Sequence, residues 1–198
     1  MKDKPLSPQE RSILLDIARK SIALALREGK KLQLNLGDFS LLLRQNGASF
    51  VTLTISGRLR GCIGTLEAYQ PLVLDVREHA LMAAIEDPRF PPLREEELQK
   101  TRIEISRLTP PTDLHYEDPN ELLTRLRPGF DGVVIKDGSV SATYLPQVWK
   151  QIPKPAHFLS ELCLKMGAPA DAWQKKRLQV STYQVEEFQE EAQGNQCI

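Results

Sequence analysis

Ala48-Ser49-Phe50-Val51-Thr52-Leu53-Thr54-Ile55-Ser56-Gly57-Arg58-Leu59-Arg60-Gly61-Cys62-Ile63-Gly64-Thr65 carries two runs of alternating residues around one glycine. Val51, Leu53 and Ile55 fall on one face and Thr52 and Thr54 on the other, which predicts a half-buried strand over Ala48 to Ser56. Gly57 marks a turn, and Arg58 to Thr65 forms the returning strand. Two registers compete. A two-residue loop, Ser56-Gly57, pairs Ile55 with Arg58 and Leu53 with Arg60, placing charge on the apolar face. A three-residue loop, Ser56-Gly57-Arg58, pairs Ile55 with Leu59 and Val51 with Ile63. A slip of one residue flips every side chain, so burial selects the second. Thr52, Thr54, Arg60 and Cys62 then share the non-core face.

Upstream, Ser7-Pro8-Gln9-Glu10 reads as a capping box opening a helix, with Ile13, Leu14, Ile17, Ser21, Leu24 and Ala25 on one face and Gly29 at its end. Downstream, Pro71 to Asp87 reads as a second helix. Asp87-Pro88-Arg89-Phe90-Pro91-Pro92 is a stiff loop, because its prolines fix φ and remove donors. Leu93 to Lys100 adds a helical turn, and Thr101 to Leu108 is a strand alternating through Ile103 and Ile105. Asn120 to Leu126 is a short helix. Gly132 to Lys136 and Ser139 to Tyr144 form a hairpin about Asp137-Gly138. Pro146 to Gln151 is one helical turn, Ala156 to Met166 is a helix closed by Gly167, and Leu178 to Phe188 is a last strand. Interspersed helices and strands with antiparallel hairpins indicate an α+β class: mostly antiparallel or mixed sheet with flanking helices. One domain over residues 1–189 is expected, followed by a flexible tail over 190–198.

The chain has 198 residues, 41% hydrophobic and 26% charged, with 26 basic and 26 acidic side chains. Zero net charge and an aromatic content of 6% argue against nucleic-acid binding, which needs a basic excess and stacking platforms. No run is apolar enough to span a membrane. The charged stretch Met1 to Leu6 lacks the apolar core of a secretory leader. Cys62, Cys163 and Cys197 are far apart, without CxxC spacing, and suit free thiols in a reducing cytoplasm. No GxGxxG, P-loop or CxxxCxxC indicates a cofactor, and no HxxxH or HxH indicates a metal.

The chemistry-bearing candidate is Arg60-Gly61-Cys62-Ile63-Gly64. Arg60 is placed to favour a thiolate at Cys62. Gly61 and Gly64 clear space for a ligand, and the successive glycine-flanked amides can form an anion-holding nest. The alternative is that both glycines serve close packing and Cys62 is a small buried hydrophobe. Asp87 and Arg89 in the rigid loop either clamp an anion or pin the loop by pairing with each other, with Phe90 plugging the core. Glu67 is either an acid–base group or a solvated carboxylate. His79 stands four residues after Asp75, so the two can pair on a helix, most simply at the surface. His115 lies in a loop and His157 near a helix start. Asp131, Gly132 and Gln147 read as structural, Cys163 as core, Trp149 and Trp173 as core or lobe-interface residues, and Lys175-Lys176-Arg177 as a solvated face.

Four stretches together resemble the AMMECR domain family, called in bacteria and archaea the AmmeMemoRadiSam system protein A. They are Leu59 to Thr65; Asp87 to Leu93; Gly129 to Ile135 with Leu145 to Trp149; and Phe158 to Cys163 followed by Trp173. The similarity runs from about Arg11 to about Phe188. The resemblance implies a two-lobed α+β domain with Leu59 to Thr65 as its hallmark. It also implies action beside a Memo-like protein and a radical S-adenosylmethionine enzyme. No activity comes with it. Two functions stay open: cysteine-dependent handling of an anionic small molecule by Cys62, Arg60, Gly61, Gly64, Glu67, Asp87 and Arg89, or a non-catalytic adaptor for those partners.

Overall fold

The structure, a computed structural model, describes residues 4–191. In chain order the elements are α1 (Pro8–Glu28), α2 (Leu41–Arg44), β1 (Asn46–Ile55), β2 (Arg58–Gly64), β3 (Gln70–Pro71), α3 (Leu72–Ile85), α4 (Glu95–Leu98), β4 (Thr101–Leu108), β5 (Thr112–Asp113), α5 (Pro119–Arg125), β6 (Gly132–Asp137), β7 (Val140–Tyr144), α6 (Pro155–Lys165), α7 (Ala172–Lys175), β8 (Gln179–Tyr183) and β9 (Val185–Gln189). Two 3₁₀ turns, Leu36–Asp38 and Pro146–Lys150, complete it. The α+β reading holds. The chain divides into two compact units, one ending at Leu108 and resuming at Glu186, the other Thr109–Val185. No helix among the described residues is long and apolar enough to cross a membrane.

In the first unit the strand order is β2-β1-β4-β9, with β3 on β1. α1 forms as its sequence dictates. Ser7 Oγ accepts from the Glu10 amide at 3.2 Å, the Glu10 carboxylate accepts from the Ser7 amide at 2.8 Å, and Gly29 closes the helix at φ 64°. α3 lies on β1 and α1 on α3, so the core joins Leu14, Ile17 and Ile22 to Val76, Ala80 and Ala83 over Val51, Leu53, Ile103 and Ile105.

The β1–β2 hairpin uses both registers. Val51 pairs with Ile63, Thr52 with Cys62 and Leu53 with Gly61; the register then shifts, and Thr54 pairs with Leu59 and Ile55 with Arg58. The expected Ile55–Leu59 pairing is therefore corrected. Ser56 and Gly57 take φ of 51° and 76°, the two left-handed residues of a type I′ turn, which fixes a two-residue loop. Burial of Val51 and Leu53 still demands the other register further along. Arg60 is the extra residue of the β-bulge that reconciles them.

The second unit's sheet runs β5-β8-β6-β7. Its hairpin turns at Gly138-Ser139, one residue later than expected, since Asp137 pairs with Val140 and Gly138 supplies the positive φ of 60° at the first loop position. Trp149 stacks on Phe158 at 3.7 Å between centroids and donates its indole N–H to the Asp131 carbonyl at 2.7 Å. Cys163 is buried with Leu159 and Leu162, as the helical spacing predicts, and Trp149 and Trp173 are buried in the same core.

The single last strand is also corrected. It breaks at Gln184 into β8, which joins β6 in the second sheet, and β9, which joins β4 in the first. Gln184 is held there by Thr109: its amide donates to Thr109 Oγ1, and its carbonyl accepts from the Thr109 amide, both at 2.9 Å. Glu190 is the first residue of the expected tail. The Glu190 carboxylate accepts from Arg19 and from the Ile103 amide, so this residue is docked. Residues 192–198, including Cys197, lie outside the described residues.

Candidate functional site

Gly61 and Gly64 are required by packing. A Cβ built on Gly61 would stand 2.0 Å from the Ala83 carbonyl oxygen of α3, and one on Gly64 would stand 2.3 Å from the Phe50 ring and 2.4 Å from the Ser49 carbonyl. Neither glycine has a positive φ. α3 thus lies on the face of Gly61, Val51 and Leu53, and by strand alternation Cys62 and Thr52 project from the other. There the Thr52 hydroxyl donates to Cys62 Sγ at 3.2 Å, and the thiol is half-buried.

β2 is an edge strand, so the Cys62 peptide has no neighbouring strand on its outer side. Asp87 and Arg89 take that place. The Cys62 amide donates to Asp87 Oδ2 at 2.8 Å, and Arg89 Nη2 donates to the Cys62 carbonyl at 3.0 Å. The two side chains close on each other: Arg89 Nε meets Oδ1 at 2.9 Å, Nη2 meets Oδ2 at 2.7 Å, and the Arg89 amide adds 3.1 Å to Oδ1. Pro88 between them fixes the backbone. The Arg89 guanidinium, with the amides of Cys62 and Arg89, holds the Asp87 carboxyl well below the usual carboxylate range despite burial. The amide that the sequence offers to an external anion is occupied by the chain's own carboxylate.

Arg60 is equally engaged. It forks onto Glu97 at 3.0 and 3.1 Å and donates to the carbonyls of Pro91 and Pro92 at 2.8 and 3.2 Å, leaving its side chain 12% exposed. Arg60 and the Arg94 amide hold the Glu97 carboxyl down to about 2. The expectation that Arg60 stays with Thr52 and Cys62 is thereby corrected: as the bulge residue its side chain runs to the 91–97 segment. Glu97 was not singled out in the sequence, since a partner 37 residues away has no local signature. Cys62, Asp87 and Arg89 are brought together, and Glu67 is an exposed carboxylate in the loop after β2.

Asp75 and His79 pair as their spacing predicts, with Nδ1 and Oδ2 at 3.1 Å, but the pair is buried, not on the surface. Ser49 Oγ donates to the same carboxylate oxygen at 2.7 Å, which gives that buried group a second partner. Both residues lie on α3, across the sheet from Sγ, so His79 is not placed as a base for Cys62. His157 stands 3.4 Å from Glu161 as an exposed pair, and His115 is exposed in the second unit. Asp131 is buried under Arg127 at 2.7 Å and also accepts from Gln184 at 3.1 Å.

The AMMECR1 family model matches residues 15–188. A protein of Methanothermobacter thermautotrophicus is 40% identical over 192 residues, covering 96% of this chain and 100% of its own. Protein NEQ441 of Nanoarchaeum equitans is 39% identical over 180 residues, covering 90% of this chain and 99% of its own. The crystal structure of uncharacterized protein PH0010 from Pyrococcus horikoshii is similar with a TM-score of 0.77 and 34% identity, covering 90% of each chain.

Proposed function

Since the chain belongs to the AMMECR1 family, we propose that it works as a non-catalytic binding module whose partners are a Memo-like protein and a radical S-adenosylmethionine enzyme. The observation that carries this reading is the closure of the hallmark motif on itself. Arg60, Asp87 and Arg89 are engaged by Glu97, by one another and by the Cys62 peptide, which closes the strand edge and pairs the Arg89 guanidinium beside the thiol with the Asp87 carboxylate. Leu59, on that edge, and Tyr69, in the loop beyond it, are 44% and 60% exposed and offer apolar contact area. The partners are those that the resemblance implies, and the Memo-like protein is the one we assign to this surface.

Calorimetric titration of the purified Memo-like protein tests this. The Cys62→Ser chain is expected to bind like the natural one, and Leu59→Ser with Tyr69→Ser to bind at least tenfold more weakly, about 1.4 kcal/mol. Loss of binding in folded Cys62→Ser, with the double variant unaffected, overturns the assignment.

A second reading is favoured by one contact. The Thr52 hydroxyl donates to Sγ of a thiol that is only half-buried, which suits cysteine-dependent handling of an anionic small molecule.

A further inference from the structure

Arg60 and Arg89, the cations expected to meet an anion, are neutralised by Glu97 and Asp87. Cations held less closely gather elsewhere. The second unit carries a cavity of about 600 Å³ whose lining includes Asp113, His115, Tyr116, Lys136, Arg177 and Ser181. That volume lies within the roughly 300–1,000 Å³ of small-molecule sites.

The sheet builds its floor. β8 places Ser181 opposite Val134 and Gln179 opposite Lys136, while β5 places Asp113 beside Ser181. Val133, Ile135 and Val180 alternate with these residues and face the core, so the floor is the sheet's other face. One wall is fastened by Tyr116, whose hydroxyl donates to the Leu178 carbonyl and accepts from the Leu178 amide, both at 2.9 Å. Its ring supports the Arg177 guanidinium at 5.7 Å from the centroid.

The charges are unbalanced. Arg177 has one ion-pair partner, Glu117, at 3.9 Å, and both side chains are exposed. The Lys136 ammonium has no hydrogen bond or ion pair among the described residues. The acid present, Asp113, accepts from Ser181 Oγ at 2.9 Å. A guanidinium held on a ring, an uncommitted ammonium and His115 therefore line one cavity.

We infer that this cavity is a binding site for a small organic anion carrying phosphate or carboxylate. Arg177 takes the oxyanion as a fork and Lys136 as a point charge. Asp113 faces the ligand's hydroxyl or amine donors. The site is independent of the hallmark motif and of the docking function proposed for it.

Amide ¹H–¹⁵N shifts of the full chain, titrated with pyrophosphate and in parallel with citrate, provide the test, with sodium chloride at matched ionic strength as reference. Saturable shifts confined to residues 113–116, 134–136 and 177–181 are expected from one or both probes. Pyrophosphate alone marks a phosphate site, and citrate alone a carboxylate site. Lys136→Gln and Arg177→Gln are each expected to weaken binding at least tenfold, and Arg89→Gln to leave it unchanged. Lys136 is an exposed side chain, so its variant keeps the fold even where Arg177→Gln disturbs Tyr116. Shifts no larger than those with sodium chloride, or binding that survives Lys136→Gln and fails in Arg89→Gln, overturn the inference.

Discussion

Gly61→Ala is expected to cost the first unit about 3 kcal/mol or more, a large part of the roughly 5–15 kcal/mol that holds an ordinary domain. The added methyl would lie 2.0 Å from the Ala83 carbonyl oxygen, where contact distance is about 3.5 Å. The obstacle is helix backbone, so no rotamer change relieves it. Either α3 lifts from β2, loosening Ala80 and Ala83 over Val51 and Leu53, or the bulged strand withdraws and strains the Asp87–Arg89 clamp. Urea unfolding measures the cost. A loss below about 1 kcal/mol would show that α3 does not approach the strand so closely.

Asp87→Ala is expected to cost about 2–3 kcal/mol at neutral pH. The carboxylate is buried and accepts from two amides and a guanidinium, and its removal leaves the Cys62 amide without its partner on the strand edge. Arg89, with half its side chain exposed, can turn to water, which keeps the figure below that of a fully buried broken pair. The effect has a pH signature. The folded-state carboxyl titrates below its unfolded value of about 3.9, so its contribution is complete above that pH and fades as pH falls below it. The stability gap between natural chain and variant should therefore narrow from pH 6 toward pH 2. A gap that stays constant would mean that Asp87 acts through packing alone.

Much of this arrangement is legible in the residues. Ser7 with Glu10 writes the start of α1, and the alternation through Val51, Leu53 and Ile63 writes the central hairpin, because capping and burial act over a few residues. Ser56-Gly57 carries turn chemistry that conflicts with the burial register, and neither signal alone reveals the bulge at Arg60. The division of Leu178 to Phe188 between two sheets is hidden, since the alternation continues through Gln184 and the break depends on Thr109, distant in sequence. At the site, the rigid loop with paired Asp87 and Arg89 is readable from Pro88 and opposite charge at short spacing. What these groups hold is not. The partners are the Cys62 peptide and Glu97, and backbone edges and long-range carboxylates leave no pattern. The same limit hides the cavity in the second unit, where Lys136 and Arg177 meet only through the pairing of β6 with β8 and the anchoring of Tyr116.

The most direct measurement on the hallmark motif is the alkylation rate of Cys62 in the folded chain against that in the urea-unfolded chain at one near-neutral pH, read by mass spectrometry with Cys163 as the buried control. A half-buried thiol on a self-contained strand edge should label more slowly folded than unfolded. A folded-state rate above the unfolded one would mean that the fold activates the thiolate, and would return the motif to chemistry.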